Sequence, residues 1–190
     1  MTIRVLVADD QAMIRGALAG LLDLERDIEV VAQAADGTQA LDELARLASA
    51  DAPARTSAPV DVAIIDIEMP RMDGITATQA IRTRFPGVRV LIVTTFGRPG
   101  YLQRALDAGA TGFMVKDAPV ETLADGVRTV AAGGRAIDQS LALEALSAGS
   151  SPLTDREADV LREVEGGGTI ADIARSLGLS QGTVRNHVSS

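Results

Sequence analysis

Five short apolar runs, rich in β-branched residues, recur along the first two thirds of the chain, and a helix-compatible segment follows each run. The runs are Ile3–Ala8, Ile28–Ala34, Val60–Asp66, Val88–Thr94 and Gly112–Val115, and the helical segments lie near residues 12–24, 38–49, 74–84, 99–108 and 119–132. Strands that are apolar on both faces need cover on both sides, so this alternation predicts a parallel sheet between two layers of helices. The expected fold class is α/β, a doubly wound, flavodoxin-like sheet of five strands in the order 2-1-3-4-5.

The pattern changes after Gly133-Gly134. Residues 135–152 contain few strong signals apart from a short helical stretch, and they predict a linker. Residues 153–190 contain no strand-like run and predict a small all-α region, whereas residues 1–134 form the α/β domain. A helix near Ile170–Leu177, a glycine break and a helix capped by Ser180 are typical of a helix-turn-helix, although a simple helical hairpin fits the periodicity equally well.

Composition narrows the classes of protein. Hydrophobic residues make up 46% of the 190 residues, and the absence of cysteine excludes disulfides and thiolate metal sites. No apolar run reaches the roughly 18 residues that a membrane helix needs, and no signal peptide is evident, so we expect a cytoplasmic protein. The net charge of −8 disfavours unspecific binding to nucleic acid, so any contact with DNA must rest on the helix-turn-helix motif.

Polar residues end the strands at the edge where a doubly wound sheet binds its ligands. Asp9 and Asp10 end strand 1, Asp66 ends strand 3, and Thr94 and Lys116 end strands 4 and 5. Three converging carboxylates repel one another unless a cation neutralises them, and a set of oxygen ligands without histidine or cysteine favours Mg²⁺. Any one of these residues alone is more often a cap or a solvated charge. Together they predict phosphoryl transfer to a carboxylate, with Asp66 as the nucleophile.

Two alternatives fit part of this pattern. A Mg²⁺-dependent aspartyl phosphatase would use similar chemistry, but such enzymes usually carry a second aspartate two residues after the nucleophile, where this chain has Glu68. We therefore do not expect an enzyme. A stand-alone α/β domain that only binds other proteins is the second alternative. Asp36-Gly37 is interpreted only as a turn.

Several motifs together resemble a known family. The segments VLVADD at 5–10, IIDIEMPRMDG at 64–74, LIVTT at 91–95 and GFMVKD at 112–117 resemble the receiver domain of response regulators. The segments LTDREADVL at 153–161, IADIARSLGLS at 170–180 and TVRNHV at 183–188 resemble the LuxR-type helix-turn-helix of the NarL/FixJ family. Within that family, residues 94–117 are similar to the corresponding segment of a Bacillus regulator that controls a membrane-lipid desaturase.

The resemblance implies a two-component regulator of transcription. Asp66 would accept a phosphoryl group from a sensor histidine kinase, while Asp9, Asp10, Asp66 and the backbone carbonyl of Glu68 would bind Mg²⁺. Thr94 and Phe113 would form a switch pair, and phosphorylation would promote a homodimer. The residues expected at promoter DNA are Thr183, Arg185, Asn186 and Ser189. Because family members continue the recognition helix beyond the position of Ser190, we expect an incomplete DNA-binding region.

The first predicted helix carries more apolar surface than the core requires. Ile14, Leu18, Leu21 and Leu22 form one stripe, and Met13, Ala17, Gly20 and Leu24 form another. We expect the second stripe to bind the kinase, a second copy of the chain, or both.

Overall fold

A computed structural model describes residues 2–51, 58, 60–95, 100–138, 141–142, 164, 169–177 and 180–184. The chain divides into two compact units, Met1–Ala148 and Gly149–Ser190, and each is treated by itself. Within the ranges described, no helix is long and apolar enough to cross a bilayer.

The first unit is a parallel sheet flanked by helices. Its strands are β1 (Ile3–Ala8), β2 (Ile28–Ala34), β3 (Val62–Ile65), β4 (Arg89–Thr94), β5 (Gly112–Val115) and β6 (Ala136–Ile137). Its helices are α1 (Ala12–Leu22), α2 (Gly37–Asp51), α3 (Gly74–Arg84), α4 (Tyr101–Asp107) and α5 (Val120–Ala131). The order β2-β1-β3-β4-β5-β6 confirms the doubly wound class and the predicted order of the first five strands.

The count of five strands was wrong, because the described residues form a sheet of six. The additional strand β6 falls within the residues predicted as linker, and it pairs in parallel with Gly112 and Phe113 of β5. A strand of two residues is too short to show the alternation of apolar and polar side chains that marks a strand in a sequence. Their extended conformation is stabilised by hydrogen bonds to the otherwise open edge of β5, which is a tertiary effect.

The core lies on both faces of the sheet, as the continuous apolar runs predict. Successive side chains of a strand point to opposite faces, so Ile64 and Ile65 enter two different hydrophobic clusters. The cluster that contains Ile65 also includes Leu44 of α2 and Ile81 of α3. The other packs against α1 and α5, and this arrangement leaves the carboxyl ends of the strands as the polar edge of the unit.

In the second unit, helix α6 spans Ile170–Ser176, and residues 181–184 are helical. The α6 helix begins with a capping box, because the Thr169 side chain accepts a hydrogen bond from the backbone N–H of Asp172 and the Asp172 side chain accepts one from that of Thr169. The Ser180 hydroxyl caps the following helix by accepting from the Thr183 N–H at 3.1 Å, as the sequence predicted. Ile173, Ala174 and Val184 form a small buried core between the two helices.

Candidate functional site

Three carboxylates meet where β1 and β3 end. Asp9 and Asp10 follow β1, and Asp66 follows β3, whose last residue pairs with Ala8 of β1. The Asp66 N–H donates to the Ala8 carbonyl at 2.9 Å, which brings the two strand ends together. One carboxylate oxygen from each of the three residues lies within 4.8 Å of the others. The predicted convergence of Asp9, Asp10 and Asp66 is therefore present.

Burial distinguishes the three acids. The relative exposure of Asp9 is 1% and that of Asp66 is 4%, whereas Asp10 is exposed. The Asp9 side chain accepts a hydrogen bond from the Gln11 N–H at 2.8 Å, and that of Asp66 accepts one from the Ile67 N–H at 2.8 Å. Because each buried carboxylate is fixed by a backbone donor beside it, the site is organised by the strand ends themselves.

Lys116 joins the two buried acids. Its Nζ lies 2.7 Å from Asp9 Oδ2 and 3.0 Å from Asp66 Oδ2, and only 6% of its side chain is exposed. The Lys116 N–H donates to the Thr94 carbonyl at 2.7 Å, which fixes the end of β5 against the end of β4. Sequence reasoning had placed a lysine here to bind a phosphoryl group, and its ion pairs with both acids were not predicted.

Electrostatics in this site follow from burial and from the lysine. Burial raises the pKa of the Asp66 carboxyl, and Lys116 lowers it without cancelling that effect. Burial lowers the pKa of Lys116, but the two carboxylates outweigh it, so the net pKa is raised and the ammonium stays charged. Among the described residues, one ammonium faces the three carboxylates of the cluster, which is two positive charges fewer than three ionised carboxylates need for neutrality.

The donor set fits a hard divalent cation. All three acids offer oxygen, and exposed Asp10 gives access from solvent. Mg²⁺ is commonly bound through one or two carboxylates with several waters, which suits a site at the rim of a sheet. It would also supply the two positive charges that the cluster lacks.

Thr94 and Phe113, the predicted switch pair, lie on the neighbouring strands β4 and β5. Thr94 is the last residue of β4, pairs with Val115 and is 2% exposed. Phe113 is fully buried and belongs to the same hydrophobic cluster as Ala105 of α4 and Leu141. The aromatic ring of the predicted switch pair thus points inward, and a residue that follows β6 packs into its cluster.

The loop after Asp66 is packed closely against the backbone of that residue. Glu68 is exposed in this loop, and Gly74 ends it at the start of α3. A Cβ atom at Gly74 would lie 2.0 Å from the carbonyl oxygen of Asp66, so only glycine fits there. In the sequence Asp73-Gly74 indicates only a turn, and the close approach can be seen only in the folded chain.

An ion pair at this loop was not predicted from the sequence, which indicated only a turn at Asp36-Gly37. Asp36, at the start of α2, is fully buried, and the Arg71 guanidinium forms an ion pair with it. The only available signal was the position of Asp36-Gly37 directly after strand 2, at the same edge of the sheet as the acids.

The second apolar stripe predicted for the first helix is exposed, although α1 ends at Leu22 and Leu24 lies in the turn that follows it. Met13 is 86% exposed and Leu24 is 78% exposed, whereas Leu22 of the other stripe is fully buried. Beside the exposed stripe, an apolar cleft lies between α1 and the start of α5, and Leu18, Val120 and Lys116 are among its lining residues. The surface therefore reaches from the exposed helix face to the lysine of the acidic site.

Of the residues expected at DNA, the structure describes Thr183 alone. Its hydroxyl lies 2.8 Å from that of Ser180, so it takes part in the helix cap. Arg185, Asn186 and Ser189 lie outside the described residues, as do most of residues 143–168.

Comparison with known proteins finds a matching family for each of the two units. Residues 5–128 match the response regulator receiver domain, and residues 151–190 match the bacterial regulatory proteins of the luxR family. Two proteins of Bacillus subtilis (strain 168), the transcriptional regulatory protein DesR and the uncharacterized transcriptional regulatory protein YvfU, are each 41% identical over 187 residues. The alignment covers 98% of this chain and 87% of DesR or 88% of YvfU. The crystal structure of response regulator ChrA, from a heme-sensing two component system, is similar with a TM-score of 0.62 and 34% identity, covering 99% of this chain and 87% of that one.

Proposed function

Because the chain belongs to the NarL/FixJ family of two-component response regulators, which join a receiver to a LuxR-type DNA-binding domain, we propose that Asp66 is its phosphoacceptor. The observation that carries this proposal is the ion pairing of Lys116 with both buried acids, Asp9 and Asp66, at the ends of the strands. Of the three clustered carboxylates, Asp66 is the one at the centre of the sheet, on β3.

In the proposed reaction a carboxylate oxygen of Asp66 attacks the phosphorus of a phosphohistidine on the kinase. The new O–P bond forms an acyl phosphate, and the P–N bond breaks, with its electron pair returning to the imidazole. Lys116 would stay protonated and pair with an oxygen of the transferred group, and the Thr94 hydroxyl would donate to another. Both residues stand at strand ends on the same edge as Asp66, which supports these roles.

Asp9, Asp10, Asp66 and the backbone carbonyl of Glu68 would hold the Mg²⁺ that the family implies. When bound, Mg²⁺ neutralises the negative charge that would otherwise repel an anionic phosphoryl donor. The rest of the site then needs only to orient the Asp66 carboxylate, which the Ile67 N–H does at 2.8 Å.

The signal would pass through the switch pair to the residues that follow α5. Movement of the Thr94 hydroxyl toward the phosphoryl group would change the volume available to the Phe113 ring. Phe113 shares a cluster with Leu141, and its carbonyl accepts a hydrogen bond from the Asp138 N–H at 3.0 Å. These contacts support a route from the phosphorylation site to the segment that leads into the DNA-binding region.

The partners proposed are a sensor histidine kinase, promoter DNA and a second copy of the chain. The kinase and the second copy would use the exposed stripe of α1 and the turn after it, because Met13 and Leu24 are large apolar residues that are 86% and 78% exposed. Promoter DNA would be contacted by Thr183, Arg185, Asn186 and Ser189. A regulator that binds promoter DNA would act in the cytoplasm. Its only chemical reaction would be its own phosphorylation.

The test is phosphorylation of the full chain by acetyl phosphate with Mg²⁺, followed by intact-mass measurement. Wild type and Asp61→Asn should gain one phosphoryl group, because Asp61 lies at the opposite end of β3 and bonds to the Arg4 N–H. Asp66→Asn should gain none. Full phosphorylation of Asp66→Asn would overturn the assignment.

A further inference from the structure

The loop that connects β3 to α3 carries Glu68, and it is fixed at its base. The Ile67 carbonyl accepts hydrogen bonds from the Gly74 N–H at 2.9 Å and from the Met69 N–H at 3.2 Å. Gly74 packs directly against the Asp66 carbonyl. Glu68 thus lies on a closed loop whose two ends are held together.

A second set of contacts fixes the far side of the same loop. The Gly37 N–H donates to the Met72 carbonyl at 3.1 Å, and a Cβ atom at Gly37 would lie 2.9 Å from that oxygen. Arg71 forms an ion pair with Asp36 from a left-handed backbone conformation (φ 63°), which is uncommon for a residue other than glycine. The start of α2 is therefore bound to the loop by one backbone hydrogen bond and one ion pair.

Burial makes the ion pair more than a surface contact. The Asp36 side chain is fully buried, and one of its oxygens accepts from the Gln39 N–H at 3.0 Å, which leaves the other for Arg71. A buried carboxylate without a partner is costly, so Asp36 favours the loop conformation in which Arg71 reaches it. That preference offsets the cost of the left-handed conformation at Arg71.

We propose that Asp36 and Arg71 are positioning residues for the metal, because their ion pair holds the β3–α3 loop, whose Glu68 carbonyl is a proposed ligand. The proposal rests on the proposed function, since it takes Mg²⁺ binding by Asp9, Asp10, Asp66 and the Glu68 carbonyl as given. Asp36-Gly37 then does more than form a turn. It links the start of α2 to the geometry of the metal site.

The test measures the affinity of the full chain for Mg²⁺ by calorimetry, without any phosphoryl donor. Arg71→Asn removes the guanidinium but keeps a residue that tolerates the left-handed region, and Asp36→Asn keeps a helix cap. Each variant should weaken Mg²⁺ binding about fivefold to tenfold, somewhat below the roughly 10–100-fold lost when a direct partner of a metal ligand is removed. The double variant should be no weaker than the weaker single variant, and Arg71→Lys should restore most of the affinity.

Charge alone predicts a different pattern. Losing a cation near an acidic site should strengthen Mg²⁺ binding, and losing an anion should weaken it, so weakening in both variants identifies the ion pair as the cause. Arg46→Asn and Glu43→Gln are matched controls, because Arg46 is 58% exposed against 59% for Arg71 and pairs with Glu43 on the same helix. Neither control should change the affinity by more than about twofold.

The outcomes are distinct. If wild type binds Mg²⁺ and both Asp36→Asn and Arg71→Asn bind it equally well, the positioning role is overturned, even if thermal unfolding in EDTA shows that both are less stable. If wild type does not bind Mg²⁺, the proposed function and this inference both fail.

Discussion

Replacing Gly74 by alanine tests how tightly the loop is built against the phosphoacceptor. The added Cβ would lie 2.0 Å from the Asp66 carbonyl oxygen and 2.8 Å from its carbon, where ordinary contacts begin at 3.4 Å. The backbone must therefore move by about 1.4 Å, and no flexible side chain can yield instead. Overpacking typically costs about 1–3 kcal/mol, and because both atoms belong to the backbone we expect the upper end, about 3 kcal/mol.

The assay is urea unfolding followed by circular dichroism, with the rate of phosphorylation by acetyl phosphate as a second measurement. Gly16→Ala is the control, because Gly16 lies on the exposed side of α1 and a Cβ atom there would meet nothing within 4 Å. Alanine is favoured over glycine inside a helix, so Gly16→Ala should gain about 0.5–1 kcal/mol and keep its phosphorylation rate. Gly74→Ala should lose both stability and rate, because the shift displaces Asp66 and Ile67.

The reasoning is refuted if Gly74→Ala unfolds at the same urea concentration as wild type and is phosphorylated at the same rate. The close approach would then be relieved by a movement that leaves the site intact, and the loop would not be the rigid element described above.

Two further predictions follow from other surfaces. Met13→Glu should slow phosphotransfer from the cognate kinase and reduce the dimer mass of the phosphorylated protein, while phosphorylation by acetyl phosphate stays unchanged. Unaltered phosphotransfer and dimerisation would remove the exposed stripe of α1 from the proposed interfaces. Leu141→Ala should cost about 2 kcal/mol, because Leu141 is 6% exposed in the cluster of Phe113 and large-to-small core changes cost about 2–5 kcal/mol. Hydrogen exchange at the Asp138 amide should accelerate in that variant, and unchanged protection would show that Leu141 does not hold the segment on β5.

The predictable part of this protein was the part encoded in local periodicity. Continuous apolar runs can be satisfied only between two helical layers, so the α/β class followed from the pattern. The order of β1 to β5 was expected because it is a common way to wind five such units, and the fold confirms it. Because parallel strands end at one edge, the convergence of Asp9, Asp10 and Asp66 followed as well. The remaining features depend on residues that are distant in the chain. β6 exists because the edge of β5 is open, and Lys116 pairs with two acids because β1, β3 and β5 end together. Gly74 must be glycine because the carbonyl of Asp66, directly after β3, lies against it. Likewise, Asp36 and Arg71 are 35 positions apart in the sequence, and only the packing of α2 on the β3–α3 loop brings a buried carboxylate to its cation.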